Sequence, residues 1–395
     1  MSNPADLPKR RKRVLYVATV VKTHIMTFHI PFLKMLKEMG YETAVAARND
    51  YENPEDCQIP YCDVFYDIPF DRSPFSTQNL KAYKALKSVI DSNHFDIIHC
   101  HTPVGSVLGR LCAIPARKKG TKVFYTAHGF HFYKGAPLIN WLLYYPVERF
   151  LSRWTDVLIT INKEDYARAQ KFNAKQVCYI PGVGIDTTMF FPDPIIRAKK
   201  RQEFGILDNE ILLLSVGELN HNKNHRVVIE ALAQLERRDI RYIICGTGPL
   251  MESHRQLAES LGVGNQLILA GFRNDVADIY RAADIFVFPS LREGLPVAVL
   301  EAMASGLPAI VTNIRGSRDL VDTESYGAIV ATNNIEAFSK AIRRVCSNTN
   351  SSNYRTVSTE RATDYELRNI LALMRQVYLS ESALRNCQVE ESEII

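Results

Sequence analysis

Two glutamates, Glu293 and Glu301, stand eight residues apart in the segment Asp284–Arg315, DIFVFPSLREGLPVAVLEAMASGLPAIVTNIR. Its apolar run reads as a strand, Ser290–Leu295 as a loop, and Pro296 suits a first helical position. That layout leaves the amides of Gly294, Leu295 and Val297 free at a helix start, where they fit a phosphate or a sugar oxygen. The two carboxylates are acceptors for sugar hydroxyls. Taken singly, each Glu reads better as a capping acid or a solvated helix acid. A second strand-to-helix turn, Val216–His225 (VGELNHNKNH), carries Lys223, a cation with the reach of a diphosphate ligand or of a plain solvated helix residue. A third turn, CGTGPL, holds Gly246, Gly248 and Pro249, and glycine there serves either close ligand approach or packing. A fourth, Gly271–Arg273, offers Phe272 and a second cation, Arg273.

Histidines form three pairs at or just after strand-like runs: His24 and His29, His99 and His101, His128 and His131. On a strand His99 and His101 share one face, as a metal site requires. No third ligand lies at a recognisable zinc spacing from any pair, so no metal is expected. For His24 and His101, acceptor contact and ordinary hydrogen bonding are equally good readings.

These groups need a frame. Short β-rich runs alternate with helical patterns throughout the 395 residues. Strands are expected at Val14–Val21, Thr43–Ala47, Asp96–Cys100, Lys122–Thr126, Asp156–Ile161 and Gln176–Ile180. The second half repeats the arrangement at Ile211–Val216, Arg241–Cys245, Gln266–Ala270, Asp284–Pro289 and Pro308–Thr312. Continuous apolar strands separated by amphipathic helices mean parallel sheets covered on both faces. The fold class is α/β: two Rossmann-like parallel-sheet domains facing across a cleft, with a C-terminal helix. Residues 1–180 and 195–350 are the expected domains, and the proline-rich stretch 181–194 the linker. A helix over Glu360–Ser380 presents Leu367, Ile370, Leu371, Met374 and Val377 on one face, and Val389–Ile395 reads as a frayed tail. In such sheets ligands bind beyond the carboxyl ends of the strands, where the turns above lie.

Composition agrees with two buried cores: 46% hydrophobic and 23% charged residues, with a net charge of only +5. The basic residues are spread out, which argues against nucleic acid. Eight scattered cysteines without short spacings read as reduced thiols of a cytoplasmic protein. No apolar stretch reaches the roughly 18 residues of a membrane span. The basic run Lys9, Arg10, Arg11, Lys12 and Arg13 has three readings: a disordered tail, a nucleic-acid patch, or a peripheral contact with anionic lipid.

The segment EGLPVAVLEAMASGLPAIVT, with Glu293 and Glu301, resembles the E-x7-E region of glycosyltransferase family 4, retaining enzymes of the GT-B fold. Lys223, the G-x-G-P turn and His128 in TAHGFHFYKG extend the resemblance over nearly the whole chain. It implies that Glu293 contacts the donor sugar, Glu301 the ribose, Lys223 the diphosphate, and His128 the donor sugar or its phosphates. It also places the loop after Gly271 near the nucleotide base. Glu218 replaces the Arg that many members carry there, which resembles the bacterial exopolysaccharide and capsule branch. That branch implies a UDP-sugar donor and a growing glycan on a polyprenyl diphosphate at the inner face of the plasma membrane. Loops such as Tyr51–Ser76 are expected to select the acceptor. No cofactor beyond the donor is expected. Without an aspartate pair for Mg²⁺ or Mn²⁺, transfer should be metal-independent.

A nicotinamide-dependent enzyme of similar architecture needs G-x-G-x-x-G after the first strand, and VLYVATVVKTH has no glycine. A sugar-nucleotide epimerase of GT-B-like fold, or a non-catalytic sugar-nucleotide-binding protein, stays open as an alternative.

Overall fold

The computed structural model describes residues 10–348 and 352–379. Lys9, Cys387 and the stretch Val389–Ile395 lie outside the described residues. The chain divides into two compact units, residues 10–180 with 371–379, and residues 181–370.

The first unit is a seven-stranded parallel sheet: β1 (Arg13–Val20), β2 (Glu42–Arg48), β3 (Val64–Asp67), β4 (Ile97–Cys100), β5 (Lys122–Ala127), β6 (Val157–Thr160) and β7 (Gln176–Tyr179). Its order is β3-β2-β1-β4-β5-β6-β7. Val14 to Val20 are all buried, because helices cover both faces of a parallel sheet. Val17, Ile98, Val123 and Leu158 meet Leu86, Cys112 and Phe132 in one core.

The second unit is a six-stranded parallel sheet: β8 (Ile211–Val216), β9 (Ile240–Cys245), β10 (Leu267–Gly271), β11 (Ile285–Phe288), β12 (Ala309–Thr312) and β13 (Gly327–Val330), in the order β10-β9-β8-β11-β12-β13. In each sheet the order reverses beside the first strand, between β1 and β4 and between β8 and β11. That reversal opens a crevice at the strands' carboxyl ends.

Two strands escaped the sequence reading, and both are sheet edges. β3 lies within Tyr51–Ser76, expected to be loop, and its short run VFYD is only partly buried. β13 begins at Gly327, φ +138°, where a Cβ would stand 2.0 Å from the Ala309 carbonyl oxygen. Only glycine lets that strand approach β12 so closely.

The expected helix over Glu360–Ser380 is two helices, Ser352–Thr363 and Leu367–Leu379. Between them the backbone pairs with the stretch 181–194: Ile185 N donates to Tyr365 O and Leu367 N to Ile185 O, each at 2.9 Å. Those two bonds replace the helical ones and break the helix. Asp193 then caps the helix Pro194–Glu203, accepting from Ile195 N at 2.8 Å and Ile196 N at 3.0 Å. Arg197 and Arg201 of that helix grip Asp284, which in turn accepts from Leu212 N. The start of β11, and hence the loop after it, is anchored to β8 this way.

Candidate active site

In the second unit three loops are stitched by backbone amides. Gly217 N donates to Cys245 O, Leu219 N to Thr247 O, and Gly246 N to Gly271 O, at 2.8–2.9 Å. A Cβ on Gly246 would stand 2.0 Å from the Gly217 oxygen, and one on Gly248 2.5 Å from the Leu219 oxygen. The G-x-G turn is therefore required for loop-on-loop packing, whatever it does for a ligand.

Lys223 and Glu293 come from loops on opposite sides of the β8/β11 reversal and meet: Lys223 Nζ donates to Glu293 Oε1 at 2.8 Å. The ammonium also lies 4.7 Å from the centre of the Phe288 ring. Leu291 N donates to Asn222 O, and the Asn222 amide to the Arg292 carbonyl, so the two loops are locked together. Arg315 Nε donates to the Glu293 carbonyl at 2.8 Å. A Cβ on Gly316 would collide with the Gly294 oxygen, so the loop rests on backbone. The helix that follows runs Val297–Ala304, and no side chain caps its start. Buried Leu295 packs against Gly182. The amides of Gly294, Leu295 and Val297 thus begin an uncapped helix beside a cation.

Glu301 lies one turn on. Tyr280 Oη donates toward Glu301 Oε2 at 2.9 Å and toward the Ala298 carbonyl at 3.0 Å. Burial raises the Glu301 carboxyl above its usual range, and the Tyr280 bond only partly offsets this. Tyr280, Asn222 and Arg315 were not singled out by sequence, since none sits in a distinctive spacing.

Arg273 is not a free second cation. Its guanidinium holds Asp275 and Glu203, which also bind Lys200. The bonds to Asp275, then Glu203, hold Arg273 more firmly protonated than usual. Its neighbour Phe272 is 75% exposed, an unencumbered aromatic face. Glu218 is exposed and accepts from its neighbour Asn220.

In the first unit the carboxyl ends of β1, β4 and β5 gather histidines. A single π-helical turn, Val21–Ile25, follows β1 and carries His24, with His29 one turn further. His101 and His128 follow β4 and β5. His29 Nε2 lies 3.1 Å from His24 Nε2, and His101 Nδ1 lies 3.3 Å from His128 Nε2. Thr102, beside His101, holds a left-handed φ of +59°, a costly conformation for a β-branched residue. Burial holds the rings neutral: the His128 imidazole is pushed down to about 4, and those of His24, His29 and His101 well below their ordinary range.

The sequence pairs therefore split. His99 is occupied, bonding Tyr378 Oη through Nδ1 and Thr126 Oγ1 through Nε2. His131 stacks on Tyr144. Spacing along the chain could not show that three separate segments converge.

In the same unit runs the helix Leu138–Leu151, with Leu138 82% and Leu142 71% exposed. A cavity of about 360 Å³ opens along it, lined by Phe75, Val104, Phe130, His131, Leu143 and Val147. Arg10, by contrast, is tied to Asp96, and Arg13 to Glu42 and the Phe95 ring. Arg10 and Arg13 are thus spent at the amino ends of β1, β2 and β4. Among the described residues no helix is long and apolar enough to cross a membrane.

Two parallel sheets, one with a cation, a carboxylate pair and an uncapped helix start at its switch point, are the architecture of the GT-B fold. The Glycosyl transferase 4-like family model matches residues 13–162, and the Glycosyl transferases group 1 model residues 196–362. The chain is 43% identical to the putative glycosyltransferase EpsD of Bacillus subtilis, over 85% of this chain and 87% of that protein. It is 33% identical to the UDP-Gal:alpha-D-GlcNAc-diphosphoundecaprenol alpha-1,3-galactosyltransferase of Escherichia coli, over 69% and 73%. Among solved structures, Anabaena Alr3699/HepE in complex with UDP and glucose superimposes with a TM-score of 0.75 at 18% identity, covering 93% of this chain and 99% of that one. The chain belongs to glycosyltransferase family 4 and is similar to EpsD over most of its length.

Proposed function

We propose that this enzyme transfers a hexosyl or N-acetylhexosaminyl unit, with retention, from a UDP-sugar to a polyprenyl-diphosphate-linked glycan at a membrane surface. The Lys223–Glu293 pair beside the uncapped helix start carries the reading. Lys223 and the amides of Gly294, Leu295 and Val297 take the diphosphate, replacing a metal ion as the balance for its charge. Glu293 takes the hydroxyls of the transferred sugar. Glu301, held by Tyr280, takes the ribose. The turn at Gly246 and Gly248 shapes the wall, and Phe272 offers its ring to the base. His128, a neutral imidazole, donates to a sugar or phosphate oxygen.

In the transfer the acceptor oxygen bonds to the anomeric carbon as the bond to the diphosphate breaks on the same face. The acceptor's proton passes to the departing diphosphate, so no protein nucleophile is required. Lys223 and the helix start stabilise the charge that accumulates there.

The acceptor's lipid is read from the exposed face of Leu138–Leu151 and the cavity along it. Lys134, Arg149 and Arg153 lie exposed nearby and suit anionic headgroups. The relative from Escherichia coli, named for an undecaprenyl diphosphate acceptor, supports that choice. The test is a melting-point screen of the purified protein against nucleotide sugars, followed by NMR of the product with a lipid-linked acceptor. A UDP-sugar should raise the melting point and its anomeric configuration should persist in the product. Inversion, or conversion of the donor without acceptor, would defeat the assignment; the latter would mark an epimerase.

A further inference from the structure

The transfer reaction gives a task to His128 but none to His24, His29 or His101. Yet one ring nitrogen from each of these four lies within 4.8 Å of the other three. Zinc–nitrogen bonds of about 2.0–2.1 Å place neighbouring ligands of a tetrahedron about 3.3 Å apart. Two edges already stand at 3.1 and 3.3 Å. A neutral imidazole presents the lone pair that a metal takes. The other nitrogen of the His101 ring, Nε2, is buried with no hydrogen-bond partner, so hydrogen bonds alone do not satisfy this ring, whichever nitrogen binds the ion.

We propose that His24, His29, His101 and His128 form a binding site for a divalent transition-metal ion of the Zn²⁺ class. Four nitrogens without a carboxylate favour zinc over Mg²⁺, Ca²⁺ or Mn²⁺. Four protein ligands also close the coordination shell, leaving no position for a substrate. The ion is therefore not the Lewis acid of the transfer. It takes the same His128 ring that the donor requires, and so zinc at this site opposes turnover. The site comes from the ends of three strands, and its ion fixes the π-helical turn against β4 and β5.

The experiment uses the full chain, stripped with chelator and dialysed. Calorimetric titration with Zn²⁺ should give one ion per chain, while Mg²⁺ gives no binding. Co²⁺ should develop the intense visible bands of a tetrahedral nitrogen site. His29→Ala and His101→Ala should each weaken Zn²⁺ binding at least tenfold, while His131→Ala, outside the cluster, leaves it unchanged. No stoichiometric Zn²⁺ binding, a weak octahedral Co²⁺ spectrum, or equal affinity in the cluster variants would overturn the proposal. The Co²⁺ spectrum of the unaltered protein decides even if a variant misfolds. None of these readouts depends on donor, acceptor or turnover, so they stand apart from the transferase reading.

Discussion

Glu301→Gln separates binding from stability in one substitution. The carboxylate commits Oε2 to Tyr280, and in the proposed role its other oxygen takes the ribose. In the amide the single oxygen turns to Tyr280, and the NH₂ group faces the ribose. Loss of a hydrogen bond to a charged acceptor costs about 1.5–3 kcal/mol, a roughly 10- to 150-fold rise in Kd for UDP. Stability should move the other way. An acid whose folded pKa lies above its unfolded value costs stability once ionised; the loss grows as pH rises through the ordinary carboxylate range and persists at neutral pH. Glutamine removes that charge while keeping the shape, so the melting point at neutral pH should hold or rise. Glu293→Gln, acting on the transferred sugar, should leave UDP affinity almost unchanged and lower kcat more than it raises KM. Calorimetry with UDP and a melting scan on both variants give the answer. Unchanged UDP affinity in Glu301→Gln would refute the ribose role, and a melting point several degrees lower would refute the argument that its buried charge costs stability.

Glu148→Ala leaves buried Arg110 without the carboxylate it meets at 2.8 Å, and should cost the first unit about 3–5 kcal/mol in denaturant unfolding. Gly246→Ala drives a Cβ to 2.0 Å from the Gly217 oxygen at a φ of +149°; a destabilisation of at least about 1–3 kcal/mol, seen as a lower melting point with weakened UDP binding, is expected. Excess EDTA should not lower turnover if, as proposed, Lys223 and the helix start balance the diphosphate charge; loss restored by Mn²⁺ would contradict that assignment. Leu142→Asp, on the most exposed face of its helix, should move the protein from vesicles containing anionic lipid into the supernatant in a flotation assay, while turnover of a soluble acceptor analogue persists.

The sequence by itself determined the two parallel sheets, because central strands buried on both faces are written as continuous apolar runs. All eleven expected strands are present within two residues at their ends; β3 was illegible because its short edge run is only partly buried, and β13 because its run GAIV is four residues long and opens on a glycine. The spacing of Glu293 and Glu301 was likewise legible, being local to one loop and one helix. Contacts between loops were not. That Lys223 pairs with Glu293, that Arg273 is consumed by Asp275 and Glu203, and that Tyr280 holds Glu301 depend on which strand ends become neighbours. The histidines show the division most clearly. Their pairing along the chain suggested His99 with His101, whereas sheet order brings together the ends of β1, β4 and β5 and so joins His24, His29, His101 and His128. A strand's order in a sheet is set by the burial of whole faces and by right-handed crossovers, neither of which is encoded in the spacing of the residues that end up touching.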